Sequence, residues 1–190
     1  DNPHAHGHNK DMTKKSFLWD ASRFANKTFA LWHFAKHTDT DIMIWCDADV
    51  RTHTTMSLQF LQDISPNEDQ LVTYLGRKTW PECGWMMFNR KHPKFQEFMD
   101  LWRWIYESDD IFKHAEYHDS FIFGELVKGF RKEVGKSLAR DVVGSFQHKD
   151  NAWWQDLRHV TKAEIKEEKL KNPHEYDATQ QHTSKGIKNE

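Results

Sequence analysis

The chain has few cysteines and no long apolar segment, and both absences narrow the class of protein. Cys46 and Cys83 are its only cysteines, and they form neither a Cys-x-x-Cys pair nor a small disulfide framework. This usage fits a reducing compartment, with one disulfide left open as an alternative. No apolar run approaches the roughly 20 residues of a membrane span, and the polar, His-rich N-terminus is unlike a secretory signal. We therefore expect a cytoplasmic protein without a membrane span.

The chain also lacks a strong excess of charge of either sign. Lys and Arg together number 27 and Asp and Glu 29, so no overall field would draw the protein to nucleic acid or an anionic membrane. Its 190 residues suffice for one domain with a real core, and nine Trp and thirteen Phe predict an aromatic core. We expect a single domain over residues 1–190, with residues 1–12 as a flexible or loop segment.

One apolar stretch ends abruptly in two acids. Residues 42–45 have the length and composition of a strand buried on both faces, and Asp47 and Asp49 follow at the point where it would leave its sheet. Ligands bind at the carboxyl ends of strands in open α/β sheets. Two carboxylates separated by the small Ala48 can approach one hard cation, and that cation can hold a diphosphate. The alternative is a solvated turn or a helix cap.

Helical and strand patterns alternate around this stretch, which indicates an α/β fold. Periodicity predicts helices over 16–37, 56–64, 92–106, 119–132 and 161–171, and further strands over 71–75, 85–88 and 138–143. Arg23 and Lys27 lie four residues apart, so both could reach an anion, unless they form a solvated basic stripe. Gly84 is predicted to open the strand over 85–88, where a missing side chain lets a ligand approach. Asp119 begins a helix, either as a cap or as a carboxylate facing a pocket.

Four segments in this order resemble the GT-A class of nucleotide-sugar-dependent glycosyltransferases. They are 44–49 (Ile-Trp-Cys-Asp-Ala-Asp), 82–89 (Glu-Cys-Gly-Trp-Met-Met-Phe-Asn), His118-Asp119, and the tail from His182 to Lys188. The resemblance implies a GT-A-like, Rossmann-like α/β fold with a mixed sheet flanked by helices. Little sequence before Ser16 is present to supply the strand and loop that grip the nucleotide base. The resemblance therefore implies a domain that lacks its first strand, as an N-terminal truncation or an abbreviated form.

The same resemblance implies roles for individual residues. In members similar to glycogenin and bacterial galactosyltransferases, the positions of Asp47, Asp49 and His182 hold Mn²⁺ or Mg²⁺. The resemblance implies that the donor phosphates are contacted by Arg23, Lys27 and Lys188. It implies that Ala48, Cys83 and Gly84 face the donor. It also implies that Asp119 is an acid near the transferred sugar.

The resemblance implies an enzyme that transfers a sugar from a nucleotide diphosphate sugar to an acceptor. We expect a uridine diphosphate sugar as the donor, and the sequence leaves the acceptor open. An inverting enzyme would use Asp119 or Glu82 as the base, and a retaining enzyme need not have one. Two other classes stay open. One is a metal-dependent phosphoesterase that uses Asp47, Asp49, His118 and Asp119, and the other is a non-catalytic fragment or binding module.

Overall fold

The computed structural model of the protein describes residues 2–48, 50 and 55–143. This part of the chain contains four helices of the α type and four strands. In order they are α1 (Ala21–His37), β1 (Ile42–Cys46), α2 (Leu58–Ile64), β2 (Val72–Leu75), β3 (Glu82–Asn89), α3 (Phe95–Glu107), α4 (Asp119–Val134) and β4 (Ala139–Asp141). Short 3₁₀ turns at Pro3–Ala5, Phe17–Trp19, Asp110–Lys113 and Lys136–Leu138 lie between them or before them. The helix predicted over 161–171 lies outside the described residues.

The described strands form a four-stranded mixed sheet in the order β1-β3-β2-β4. β3 pairs antiparallel with β1 on one side and with β2 on the other, and β2 pairs parallel with β4. Helices cover both faces of the sheet, because α1, α3 and α4 contribute to one core cluster and α2 contributes to the other. The predicted α/β class with a mixed sheet flanked by helices is confirmed at this level.

The position of β1 differs from the prediction. The apolar stretch was expected to be buried on both faces, yet β1 lies at an edge of the described sheet and the Ile44 side chain is 47% exposed. Every residue is buried in the two interior strands of the described sheet, β2 and β3. An apolar run of four residues does not by itself distinguish a central strand from an edge strand, and β3 is interior because it pairs with both β1 and β2.

Aromatic side chains build the larger core, as the composition predicted. Phe98 and Trp102 of α3 meet edge to face with ring centroids 5.9 Å apart, and Phe98 also lies 5.3 Å from Phe130 of α4. Trp102 in turn lies 5.5 Å from Phe123. These ring contacts connect α3 to α4 and fix the position at which α4 begins.

The segment before α1 folds back on itself through its backbone, and its Leu18 carbonyl accepts the Tyr117 N–H at 2.8 Å. The Gly7 N–H donates to the Trp19 carbonyl at 3.0 Å, and Ser16 N–H donates to the Gly7 carbonyl at 2.8 Å. Gly7 has a φ of 89°, a left-handed conformation that favours glycine. Residues 2–12 thus form a loop with one 3₁₀ turn. Among the described residues, no helix combines the length and apolarity needed to cross a membrane.

The two tryptophans of α3 provide a test of this core. Trp102 is 1% exposed and Trp104 is 49% exposed. We expect Trp102→Ala to lower the free energy of unfolding by about 3–5 kcal/mol, because it leaves a large cavity between α3 and α4. Trp104→Ala, two residues away in the same helix, should change it by about 0.5 kcal/mol or less. Urea denaturation followed by circular dichroism measures both, and equal losses in the two variants would contradict the packing described.

Candidate functional site

A bulge in β3 shapes the end of the sheet where the acids lie. Tyr74 of β2 pairs with Met86, but the next residue, Leu75, pairs with Glu82. Residues 83–85 therefore have no counterpart in β2 and form the bulge. A bulge redirects side chains and carbonyl groups away from the regular ladder, and such irregularities are common beside functional sites.

The end of β1 is held against this bulge. The Asp47 N–H donates to the Gly84 carbonyl at 2.9 Å, which continues the β1-β3 pairing beyond Cys46. A Cβ atom at Gly84 would lie 2.9 Å from Oε1 of Glu82 and 3.7 Å from Oδ2 of Asp47. Gly84 is the third residue of β3 and does not open it as predicted, and its missing side chain leaves the space that these carboxylates occupy.

Lys27 connects the segments that meet at this end of the sheet. Its Nζ lies 2.8 Å from Oδ1 and 3.0 Å from Oδ2 of Asp47, and it donates to the Cys83 carbonyl at 3.0 Å. It also forms an ion pair with Oδ2 of Asp119. The side chains of Lys27, Asp47 and Asp119 are only 12%, 15% and 8% exposed, so this cluster is largely shielded from water. We call Lys27, Asp47, Asp119 and the Cys83 carbonyl the lysine hub.

The surroundings of the hub keep the Lys27 side chain positively charged and the Cys83 thiol neutral. Burial alone would lower the pKa of Lys27, but the carboxylates of Asp119 and Asp47 outweigh it and the pKa is raised. Burial raises the pKa of the Cys83 thiol, and the Asp119 carboxylate adds to that effect. Lys27 is therefore an ammonium ion, and Cys83 is a neutral thiol that contributes its backbone carbonyl.

Asp119 is the first residue of α4, and the residue before it is the cap. His118 accepts the Phe121 N–H through Nδ1 at 3.3 Å, and its Nε2 lies 2.6 Å from a carboxylate oxygen of Glu116. Asp119 accepts the Ser120 N–H through Oδ1 at 2.8 Å. A carboxylate in the first turn of a helix is stabilised by the exposed N–H groups and the helix dipole. The Asp119 carboxylate is thus directed to Lys27, whereas both ring nitrogens of His118 form contacts within the protein.

The two remaining predicted residues near the hub have different surroundings. The Glu82 carboxylate is buried, accepts the Gly84 N–H at 2.8 Å and pairs with Arg77, so it supports the bulge.

Arg23 lies one turn before Lys27 but is exposed, with its guanidinium carbon 5.7 Å from the centroid of the Phe24 ring. Lys27 reaches Asp47, and Arg23 lies at the surface.

One contact of the hub was not expected from the sequence. The Trp45 indole N–H donates to Oδ1 of Asp47 at 2.5 Å, and the Lys27 ammonium lies 5.7 Å from the Trp45 ring centroid. Residues two apart on a strand point to the same face, and that spacing was the available signal. Trp45 therefore orients the carboxylate that the Asp-x-Asp pattern singled out.

The predicted metal site is described only in part. Ala48 lies in the turn after β1, while Asp49, His182 and Lys188 lie outside the described residues. Within the described residues, no group of three or more His, Cys, Asp or Glu side chains could hold a metal ion. Asp47 offers the hard oxygen ligands that suit Mn²⁺ or Mg²⁺. The Lys27 ammonium contacts the same oxygens, so a divalent cation would compete with it there.

Comparisons with known proteins assign this chain to no family. No protein-family model, curated protein or solved structure matches the chain significantly. The mixed α/β sheet is therefore not assigned to a family.

The hub predicts that Lys27 is required for stability. We expect Lys27→Met to lower the free energy of unfolding at pH 7 by about 3–5 kcal/mol, because it leaves two buried carboxylates without their shared counter-ion. The matched control is Arg23→Met on the same helix, which should cost about 0.5 kcal/mol or less because Arg23 is exposed. Urea unfolding of both variants decides this, and a Lys27→Met variant as stable as the Arg23 control would refute the hub as a stabilising cluster.

Proposed function

We propose that the protein is a metal-dependent glycosyltransferase that moves a sugar from a nucleotide diphosphate sugar to an acceptor. The observation that carries the proposal is the lysine hub. It brings the end of β1, the bulge of β3 and the start of α4 to one end of the sheet, although Lys27 lies 20 residues from Asp47 and 92 from Asp119. These are three of the four segments on which the resemblance to GT-A enzymes rests.

The charge of the hub supports a site for a cation and a diphosphate. One ammonium between two carboxylates leaves one negative charge uncompensated, and Asp49 follows two residues after Asp47 in the sequence. A divalent cation bound by Asp47, Asp49 and His182 would supply Lewis-acid stabilisation to the departing diphosphate. In the proposal, Lys188 contacts the phosphates, and the cation takes the place of the Lys27 ammonium on Asp47 while Lys27 keeps its ion pair with Asp119.

The reaction also needs a group that accepts a proton if the enzyme inverts the sugar. The acceptor oxygen forms a bond to the anomeric carbon while the bond from that carbon to the diphosphate oxygen breaks. The hydroxyl proton then passes to a carboxylate. Both carboxylates are engaged, Glu82 with the Gly84 N–H and Arg77 and Asp119 with the Ser120 N–H and Lys27, and we assign the role to Asp119 because Lys27 joins it to Asp47.

The phosphoesterase alternative receives less support from the geometry. It requires His118 beside the aspartates, but His118 caps α4 with one ring nitrogen and contacts Glu116 with the other. The His118 side chain is 7% exposed, and its ring packs near Phe24, Trp80 and Phe121. His118 therefore acts as a structural cap, and the phosphoesterase would have to operate on the aspartates alone.

Ligand binding gives the first test of the proposal. Melting temperatures are measured with uridine, guanosine and cytidine diphosphates, each with and without Mn²⁺. We expect one nucleotide to stabilise the protein only with the metal, because a ligand at 100 times its Kd adds about 2.7 kcal/mol to the native state. Mn²⁺ alone and free phosphate with Mn²⁺ serve as controls. A cooperative melting transition that no nucleotide shifts, with or without Mn²⁺, would reject the proposed site.

Turnover gives a separate test through the Asp-x-Asp pair. We expect Asp49→Asn to abolish release of nucleoside diphosphate from a panel of nucleotide sugars, because the amide removes an anionic ligand of the cation. Asp41→Asn is the matched control, since Asp41 precedes the same strand and is 62% exposed in its pair with Lys91. It should retain activity. Hydrolysis of a generic phosphate ester at a rate equal to or above sugar transfer would favour the phosphoesterase instead.

A further inference from the structure

Two histidines lie one turn apart near the C-terminal end of α1. His33 and His37 are both exposed, and their imidazole rings stack with centroids 4.1 Å apart and planes inclined by 28°. Residues four apart on a helix share one face, and a His pair at this spacing is a known way to bind a metal ion on a helix. The lysine hub and the proposed glycosyl transfer do not use either side chain.

A backbone contact determines which nitrogen of His37 is free. Nδ1 of His37 lies 2.7 Å from the carbonyl oxygen of His33. A carbonyl only accepts hydrogen bonds, so Nδ1 must carry the proton, and Nε2 of the neutral ring keeps its lone pair. Metal-binding histidines in proteins characteristically donate the other ring N–H to a carbonyl or carboxylate in this way. His37 is therefore in the tautomer that a metal ion requires.

The local charge also favours a cation. α1 ends at His37, and the partial negative charge at a helix C-terminus stabilises positive charge in the last turn. Two positive side chains near this helix end have other partners. The Lys36 ammonium lies 5.3 Å from the Trp32 ring centroid and 3.9 Å from the Asp100 carboxylate, and the Arg90 guanidinium donates to the Ala35 and Thr40 carbonyls. Lys36 is thus turned toward α3 and away from the histidine pair.

We propose that His33 and His37 form a second metal site, specific for a borderline transition ion such as Zn²⁺, Ni²⁺ or Cu²⁺. Imidazole suits these ions, whereas Mn²⁺ and Mg²⁺ prefer oxygen ligands. The two rings are stacked, so binding requires the His33 side chain to rotate until its lone pair and that of Nε2 of His37 meet at one ion. Two protein ligands leave the remaining positions to water. Phe34 stands where zinc proteases with a His-Glu-x-x-His helix have their catalytic Glu, so the site binds a metal ion without that hydrolytic chemistry.

The two sites are separated by the length of β1. His37 precedes the strand and Asp47 follows it, and five strand residues span about 17 Å. Binding at the histidine pair is therefore independent of the proposed donor site, and the result of a test at one site does not depend on the other.

Calorimetric titration of the full chain with ZnCl₂ tests the proposal, with the variants His33→Ala and His37→Ala. We expect one bound ion per chain at this pair, and a loss of affinity of at least about tenfold in each variant. Removing even an outer-shell partner of a metal typically costs about 10–100-fold, and here a ligand is lost outright. Both residues are exposed and Ala favours helix, so both variants should fold, as circular dichroism will show.

His6→Ala is the matched control, because His6 is exposed and belongs to the histidine-rich N-terminus. It should bind Zn²⁺ at the pair with wild-type affinity. Wild-type affinity in both α1 variants would overturn the proposal, as would loss of binding in only one of them, since a chelate requires both rings. Loss of all binding in His6→Ala would assign the ion to the N-terminus and overturn it equally.

Discussion

The rest of the site depends on one buried ammonium ion between two carboxylates. Lys27 of α1 binds Asp47 after β1, the Cys83 carbonyl in the β3 bulge, and Asp119 at the start of α4. Removing three such charges from water is costly, and the cost is offset only when each finds its partner at close range. The hub is therefore satisfied as a unit, and it holds four separate segments in register at one end of the sheet.

The backbone of the β3 bulge positions the groups of the hub. Because residues 83–85 are extra with respect to β2, the chain turns the Cys83 carbonyl toward Lys27 while the Gly84 carbonyl continues the pairing with Asp47. Glu82 stabilises this irregular segment through the Gly84 N–H. Trp45 then orients Asp47 from the strand itself. The position of the Asp47 carboxylate is thus set by contacts from both sides.

The aromatic core explains why α4 can present Asp119 to the hub. Ring contacts among Phe98, Trp102, Phe123 and Phe130 pack α4 against α3. His118 closes the first turn of α4 through the Phe121 N–H. A rigid helix start places a carboxylate more accurately than a loop does, which is what proton transfer or donor orientation would require. The position of Asp119 in the hub therefore depends on the packing of α4 against α3.

The sequence by itself determined the order and kind of the elements to within a few residues. It predicted helices over 92–106 and 119–132, where α3 spans Phe95–Glu107 and α4 spans Asp119–Val134, because amphipathic periodicity is a local property. It also placed Asp47 directly after a strand. Its errors have local causes. The predicted first helix began at 16, but the chain makes a 3₁₀ turn at Phe17–Trp19, and Asp20 caps the helix that follows.

Only the tertiary structure decided which of these residues meet. Whether β1 lay at the edge or the centre of the sheet depended on how other strands pair, and an apolar run carries no information about that. The β3 bulge breaks the alternation that strand prediction relies on, so β3 extends three residues earlier than predicted. The choice of Lys27 over Arg23 depended on the rotation of α1 against the sheet. A contact between residues 92 apart in sequence arises from that packing and from nothing local.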